Sequence, residues 1–473
     1  MRLPEGKEPA AVAPEKLAVQ VARRIVDEIT ERQWPIGEVL GSETALREQF
    51  GVSRSILREA IRVLEHSRVV QMRQGPGGGL VVGTPDPTPA IRGVVIYLEY
   101  AGATVEQVVH ARFVFERMAI AAVSESLTER GVQELRSSAS GEDGRLPEDF
   151  HIALGRLSGN PVLELYIDIL VSLTAAYTHR ARGIAGNTEE EGCAAARQHL
   201  AIAESIVAGA SSRAQSDLVA HLDRAATWLS GLVHPQPGES TAIGPMDLTP
   251  DEWPRERKLA GSVAGRIRDD IVREGRYVGE VLGSEADFVS RYGVSRSVFR
   301  ESIRILEHYS VARMRQGPGG GLVVLEPDPT SSIRTIALYL DFRGVTVEHL
   351  RTVREEVELG CLTAAMRSGM LGKAELREDQ QRGDSKAGRC SACLRDRVAT
   401  LSGDPVLILF RSVLSTLWDE YGSGRRPSDP CRSTDQGPAD QAELDAIVDA
   451  MVAGDEGLAQ FRMRRHLREH PGW

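Results

Sequence analysis

Lysine is nearly absent from this 473-residue chain: Lys7, Lys16, Lys258, Lys373 and Lys386 are the only ones. A pyridoxal-phosphate enzyme needs a lysine for its Schiff base. Residues 17–257 contain none, which excludes that chemistry from the first half. Cysteine is scarce too, and an odd set of five fits a reducing compartment better than a disulfide framework. No run approaches the ~20 apolar residues a membrane span needs. The N-terminal MRLPEGKEPAAVAPEK has no signal-peptide core. These absences predict a soluble, cytoplasmic protein with no membrane partner. The 41% of apolar residues is ample for packed cores and excludes wholesale disorder.

The net charge of −10 is unevenly spread. Residues 41–82 hold six Arg against four acids, and residues 283–324 do the same. The two basic islands coincide with an internal repeat. LGSETALREQFGVSRSILREAIRVLEHSRVVQMRQGPGGGLVV (40–82) and LGSEADFVSRYGVSRSVFRESIRILEHYSVARMRQGPGGGLVV (282–324) agree at 28 of 43 positions, at an offset of 242. Downstream, LSGNPVLELY (157–166) answers LSGDPVLILF (401–410), and LVAHL (218–222) answers MRRHL (463–467). So long a period means a duplicated module and not a solenoid, whose repeats run roughly 20–50 residues.

Within the first copy, Leu17, Val21, Ile25 and Ile29 mark a helix that ends at Trp34-Pro35. A short second helix starts at Ser42 or Glu43 and stops near Gly51, and Ser53 caps a third that runs to about Ser67. On that third helix Ile56, Leu57, Ala60, Ile61, Val63 and Leu64 fill one arc. Arg54, Arg58 and Arg62 fill an adjoining arc about 80° wide. Helix, turn and helix with arginines in register is how a recognition helix enters a major groove, where Arg suits guanine edges and phosphates. Val69–Arg73 and Leu80–Val82 read as two strands of a hairpin around a glycine-rich turn. A phosphate-binding loop is the competing idea, but GxxxxGK[ST] is missing. Candidate DNA contacts are therefore Ser53, Arg54, Ser55, Arg58, Arg62, Arg73 and Gly77. Their counterparts are Ser295, Arg296, Ser297, Arg300, Arg304, Arg315 and Gly319. An ordinary solvated arginine face is the alternative, weakened by its recurrence in the second copy.

GVSRSILREAIRVLE and GVSRSVFRESIRILE, each preceded by LGSE and followed by a wing, resemble the winged helix-turn-helix of GntR-family bacterial transcription regulators. The tail of the first half resembles the all-helical FCD effector domain of the FadR subgroup. The resemblance implies a mainly α protein: two winged helix-turn-helix heads, each with a small β-hairpin wing, and each followed by an all-α bundle. The expected segments are a flexible 1–14, head 15–83, effector domain 84–232, linker 233–257, head 258–325 and a degenerate effector domain 326–473. Where the family often has an arginine directly after the Glu of its P-x-E-R segment, this chain has Thr44 and Ala286.

From about Pro89 to Gly231 the pattern is helical throughout, with candidates at 104–126, 147–158, 161–182, 189–208 and 211–230. His151, His199 and His221 lie in this region. Three imidazoles can hold a divalent ion with positions left open, although each alone could be a packed or surface residue. The resemblance implies a metal (Zn, Mn or Ni) bound through an Asp-x-x-x-His and two later histidines about 22 residues apart. His199 and His221 have that spacing, and His151 stands in the family's Phe-His position. Pro147 occupies the aspartate's place, which leaves Glu148 or Asp149 as substitutes. The resemblance makes Arg112 a holder of an effector carboxylate, with a surface pair to Glu116 as the alternative. In the second tail Arg395 aligns with His151 and Leu444 with His199, only His466 remains opposite His221, and Cys390 and Cys393 form a CxxC nearby.

The expected function is a DNA-binding regulator, a repressor released by a small carboxylate or acyl effector. Its expected form is two fused protomers acting as a pseudo-dimer on double-stranded operator DNA. Further pairing of chains is the competing arrangement. A metal-dependent enzyme built on the three histidines and a non-specific architectural protein are the alternative functions.

Overall fold

The computed structural model describes residues 17–75, 77–140, 149–185, 189–232, 255–317, 319–368, 391–418 and 438–470. The chain divides into two compact units, Met1–Ile91 with Leu338–Gly344 and Arg92–Ala337 with Val345–Trp473.

The first unit holds α1 (Leu17–Glu31), β1 (Val39–Gly41), α2 (Glu43–Phe50), α3 (Arg54–His66), β2 (Val70–Arg73) and β3 (Gly79–Val82). The Ser42 side chain caps α2 by accepting from the Ala45 N–H. Gly51 ends α2 in the left-handed region at φ 65°, which turns the chain directly into Ser53, the cap of α3. Val21, Ile25 and Ile29 of α1, Leu46 and Phe50 of α2, and Leu57, Ile61 and Leu64 of α3 close over Val70, Leu80 and Val82. The antiparallel sheet runs β1-β3-β2, with Val70 opposite Val82 and Arg73 opposite Gly79. The sequence predicts only the two-stranded wing; β1 is three residues long, too short for an alternation to show. Late residues complete this unit. Leu338 packs on the core, Phe342 meets the Trp34 ring edge-on at 5.1 Å, and the Thr30 hydroxyl donates to Asp341 at 3.2 Å.

In the second unit, α11 (Arg255–Arg273), α12 (Glu285–Tyr292), α13 (Arg296–His308), β4 (Ala312–Arg315) and β5 (Gly321–Val324) repeat the element order of the first copy. Ser284 and Asp287 form a reciprocal capping box on α12, and Ser295 caps α13. Two helices have residues in both units: α4 (Thr88–Tyr100) begins in the first, and α14 (Thr330–Phe342) ends there. Ile96 of α4 joins the core of α11–α13, and Arg268, 3% exposed, lies 3.8 Å from Glu99. A β-carbon on Gly93 would lie 2.1 Å from the Ser332 hydroxyl and 3.3 Å from its Cβ, so glycine lets α4 lie against α14 without displacing that side chain.

The remaining helices of the second unit form two bundles. The first contains α5 (Val105–Ser126), α6 (Glu129–Ser140), α7 (Asp149–Leu157), α8 (Pro161–Ala185), α9 (Glu189–Val207) and α10 (Ser211–Leu232). The expected helical stretches are present, and α6 is added. The second contains α15 (Val347–Arg367), α16 (Ser391–Ser402), α17 (Pro405–Leu417), α18 (Pro438–Val452) and α19 (Glu456–Glu469). They meet along α5, α8, α15 and α17. Phe410 stacks on Tyr166 at 4.1 Å and meets Phe115 edge-on at 5.3 Å, while the Tyr166 hydroxyl donates to the Phe410 carbonyl. Among the described residues, no helix is long and apolar enough to cross a membrane.

Candidate nucleic-acid interface and candidate metal centre

On α3 the apolar arc packs inward, with Leu57 and Ala60 wholly buried, and the arginine row stays outside. Glu43 gathers two of its members: it accepts from Arg54 Nε at 2.8 Å and from Arg58 Nε at 3.0 Å. The hydrogen bond from Arg54, joined by that from Arg58, holds the Glu43 carboxyl below its usual range. Arg62 is exposed beside them. On α13, Glu285 holds Arg300 at 3.1 Å and Glu301 holds Arg304 at 2.7 Å, whereas Arg296 has no ion pair among the described residues. The two arginine rows are thus alike in position and unlike in restraint.

The hydroxyls of Ser53 and Ser55 lie 2.9 Å apart, as do those of Ser295 and Ser297. Arg73 and Arg315 fold over the wing tips, donating to the carbonyls of Gly77 at 3.2 Å and Gly319 at 2.9 Å. Both glycines have positive φ and open space around them.

His151 of α7, His199 of α9 and His221 of α10 converge in the first bundle, all buried, with ligand atoms within 4.8 Å of one another. His151 Nδ1 donates to Glu116 Oε2 at 2.7 Å, and His221 Nδ1 to Gln198 Oε1 at 3.0 Å. Each ring is thereby left with its Nε2 lone pair facing the cluster. The Nε2 atoms of His199 and His221 are 3.2 Å apart. That matches the roughly 2.9–3.4 Å between neighbouring ligands on an ion with bonds of about 2.0–2.1 Å. Burial, with Arg112 close by, holds His151 well below the ordinary histidine value, and burial lowers His199 to about 2. Burial followed by the neighbouring imidazoles lowers His221 likewise. All three rings are neutral, the form that binds a metal. His199 Nδ1 is buried without a hydrogen-bond partner among the described residues.

Asp149 opens α7 but does not join the histidines. Two residues from His151, it projects some 200° around the helix. Glu148 lies outside the described residues. The carboxylate beside the cluster is instead Glu116, wholly buried on α5, which also accepts from Arg112 Nε at 2.7 Å. The Arg112–Glu116 pair, offered as a surface alternative to effector binding, is internal, with Arg112 only 4% exposed and its Nη2 without a hydrogen-bond partner among the described residues. The four-residue spacing revealed the pair but not its depth.

In the second bundle Glu358 takes the part of Glu116, with Arg395 Nε at 3.4 Å and Arg411 Nε at 3.1 Å. Burial, then the neighbouring Arg395, brings Arg354 down to about 9. Arg395 therefore stands where an imidazole would, and Leu444 is packed in the core. Cys390 and the side chain of Cys393 lie outside the described residues.

Residues 17–80 match the family described as bacterial regulatory proteins, gntR family, and residues 107–224 match the FCD domain. The chain is 27% identical over 229 residues to the HTH-type transcriptional repressor NanR of Enterobacter sp. (strain 638), spanning 46% of this chain and 87% of that protein. It is 26% identical over 205 residues to the HTH-type transcriptional regulator LutR of Bacillus subtilis, spanning 41% and 93%. Among solved structures, Streptococcus agalactiae GntR covers 44% of this chain and 99% of that chain, at 20% identity and a TM-score of 0.29.

Proposed function

We propose that this chain, whose residues 17–224 carry a GntR helix-turn-helix domain followed by an FCD domain, is a sequence-specific repressor made of two fused protomers. The observation that carries the DNA-binding part is the exposed arginine row of α3, repeated on α13 over the same caps and wing. The candidate DNA contacts on α3, α13 and the two wings keep their proposed roles. Arginines reading base edges would give specificity, and wing residues reaching phosphate would give register. The modest charge of each head argues against an architectural protein, which depends on many phosphate contacts.

Fusion is supported from three directions. NanR, matched over 87% of its length, occupies only 46% of this chain, which leaves room for a second copy. Tyr166 and Phe410, equivalent positions of the repeat, stack on each other. Self-contact of equivalent residues is what a two-fold interface requires. Finally, α4 packs on the second copy of the head and α14 completes the first, so each tail's leading helix serves the other half.

The matched families and the named relatives are transcription regulators and not enzymes. The buried imidazoles are accordingly read as a sensing site. His151, His199 and His221 would hold one divalent ion, which supplies a Lewis-acidic position for an anionic group. Glu116 and Gln198 orient the rings, and the unpartnered Nη2 of Arg112 offers a donor to an effector carboxylate.

Selection of bound sequences from a random DNA pool, then footprinting with light scattering, tests this reading. One chain should protect one imperfect palindrome. Two chains on a perfectly symmetric palindrome would overturn the fused dimer, and failure to enrich any sequence would overturn specific binding.

A further inference from the structure

The second bundle lacks the buried histidine triad, yet near the end of the chain it assembles a different set of ligand atoms. Glu443 on α18 faces the last turn of α19, where His466 lies, and His470 follows immediately as the residue that ends that helix. Glu443 Oε2 is 3.0 Å from His466 Nδ1 and 3.4 Å from His470 Nε2, and all three ligand atoms lie within 4.8 Å of one another. Arg465 Nε donates to the other carboxylate oxygen, Oε1, at 3.2 Å, so Oε2 is the oxygen turned to the imidazoles.

We propose that Glu443, His466 and His470 form a second divalent-cation site, for a first-row transition ion of the zinc, cobalt or nickel kind. Two imidazoles and one carboxylate are a donor set for such ions, whereas calcium and magnesium prefer oxygen. The two oxygen–nitrogen separations match the roughly 2.9–3.4 Å between neighbouring ligands at bonds of about 2.0–2.2 Å. His470 is at the helix end and 38% exposed, which gives the ion a path in from solvent. His466 is 2% exposed and kept below its ordinary pKa by burial, which favours the neutral ring. It occupies the position that answers His221 of the first bundle. The degenerate tail would thus have kept one histidine and recruited new partners around it. With only three protein ligands, coordination positions stay open for water or an anionic group.

The test uses the full chain, stripped with a chelator and titrated with cobalt(II) and zinc(II), with bound metal counted by elemental analysis and the cobalt visible spectrum recorded. The wild type should take two equivalents. His470→Ala should lose one of them together with its cobalt band, while His199→Ala should lose the other and leave that band in place. Glu443→Gln should weaken the second site at least tenfold. Equal stoichiometry in His470→Ala and wild type would overturn the proposal. Loss of metal from His470→Ala with none lost from His199→Ala would support it and refute the triad instead. Because His470 is only part-buried and caps the helix through its backbone N–H, its replacement by Ala should leave the helical circular dichroism unchanged.

Discussion

Asp404 is a carboxylate in the wrong medium. It caps α17, its Oδ1 accepting from the N–H groups of Val406 at 2.9 Å and Leu407 at 3.1 Å, and it is only 3% exposed. Burial raises its pKa to about 6 against the pull of those two hydrogen bonds. The equivalent cap in the first half is Asn160, whose Oδ1 accepts from Val162 in the same way. Asp404→Asn therefore keeps the cap acceptor and removes the charge. Unfolded, the aspartate titrates near 3.8. Between about pH 4 and 6 the folded chain retains a proton that the unfolded chain has released, so raising the pH through that window destabilises the wild type. At about 1.4 kcal/mol per unit over roughly two units, the loss is about 3 kcal/mol, complete above pH 6. The variant has no such term. Urea unfolding of both chains at a series of pH values should give equal midpoints near pH 4. By pH 7.5 the variant should be ahead by about 3 kcal/mol. A variant less stable at pH 7.5, or a difference that does not change between pH 4 and 7.5, would refute the reasoning.

Arg58→Ala and Arg300→Ala should each weaken operator binding roughly 5- to 150-fold at fixed salt, the loss of one base-reading contact, as read by gel-shift titration. Phe410→Ala removes the ring that stacks on Tyr166 and meets Phe115 edge-on, and should destabilise the chain by about 3–5 kcal/mol in denaturant titration. DNA binding should fall with it if the pairing of the two bundles sets the spacing of the heads. Glu116→Gln should lower metal affinity at the histidine triad about 10- to 100-fold in a competition titration, since the His151 ring loses the carboxylate that orients it.

Local signals were the legible ones. Ser53 as a cap, Gly51 as a stop and the arginine arc of α3 depend on neighbours within a turn or two, and a sequence shows those directly. The histidine triad was legible through its resemblance to the FCD pattern, which the spacing of His199 and His221 matches. Glu116 was not, because an Arg–Glu pair four residues apart reads as a solvated helix face. Only the packing of α5 against α7, α8 and α10 turns that pair inward. Glu443 and His470 escaped for a related reason: nothing local joins a residue on α18 to one beyond the end of α19. The crossing of α4 and α14 is equally silent in a sequence, since Trp34 and Phe342 carry no mark of their partnership.

That crossing sets a timetable for synthesis. The first DNA-binding unit ends its opening stretch at Ile91, yet Leu338, Asp341 and Phe342 are also part of it. At roughly 5–20 residues per second, a ribosome needs on the order of 12–50 s to make the intervening chain. Throughout that interval the Trp34 face must wait, open to whatever apolar surface emerges first, including the corresponding face of the second copy. A nascent chain of this kind has two similar heads competing for two similar helices. The differences accumulated between the copies, Trp34 against Arg276 and Tyr100 against Phe342 among them, are then what keep each helix with its proper head.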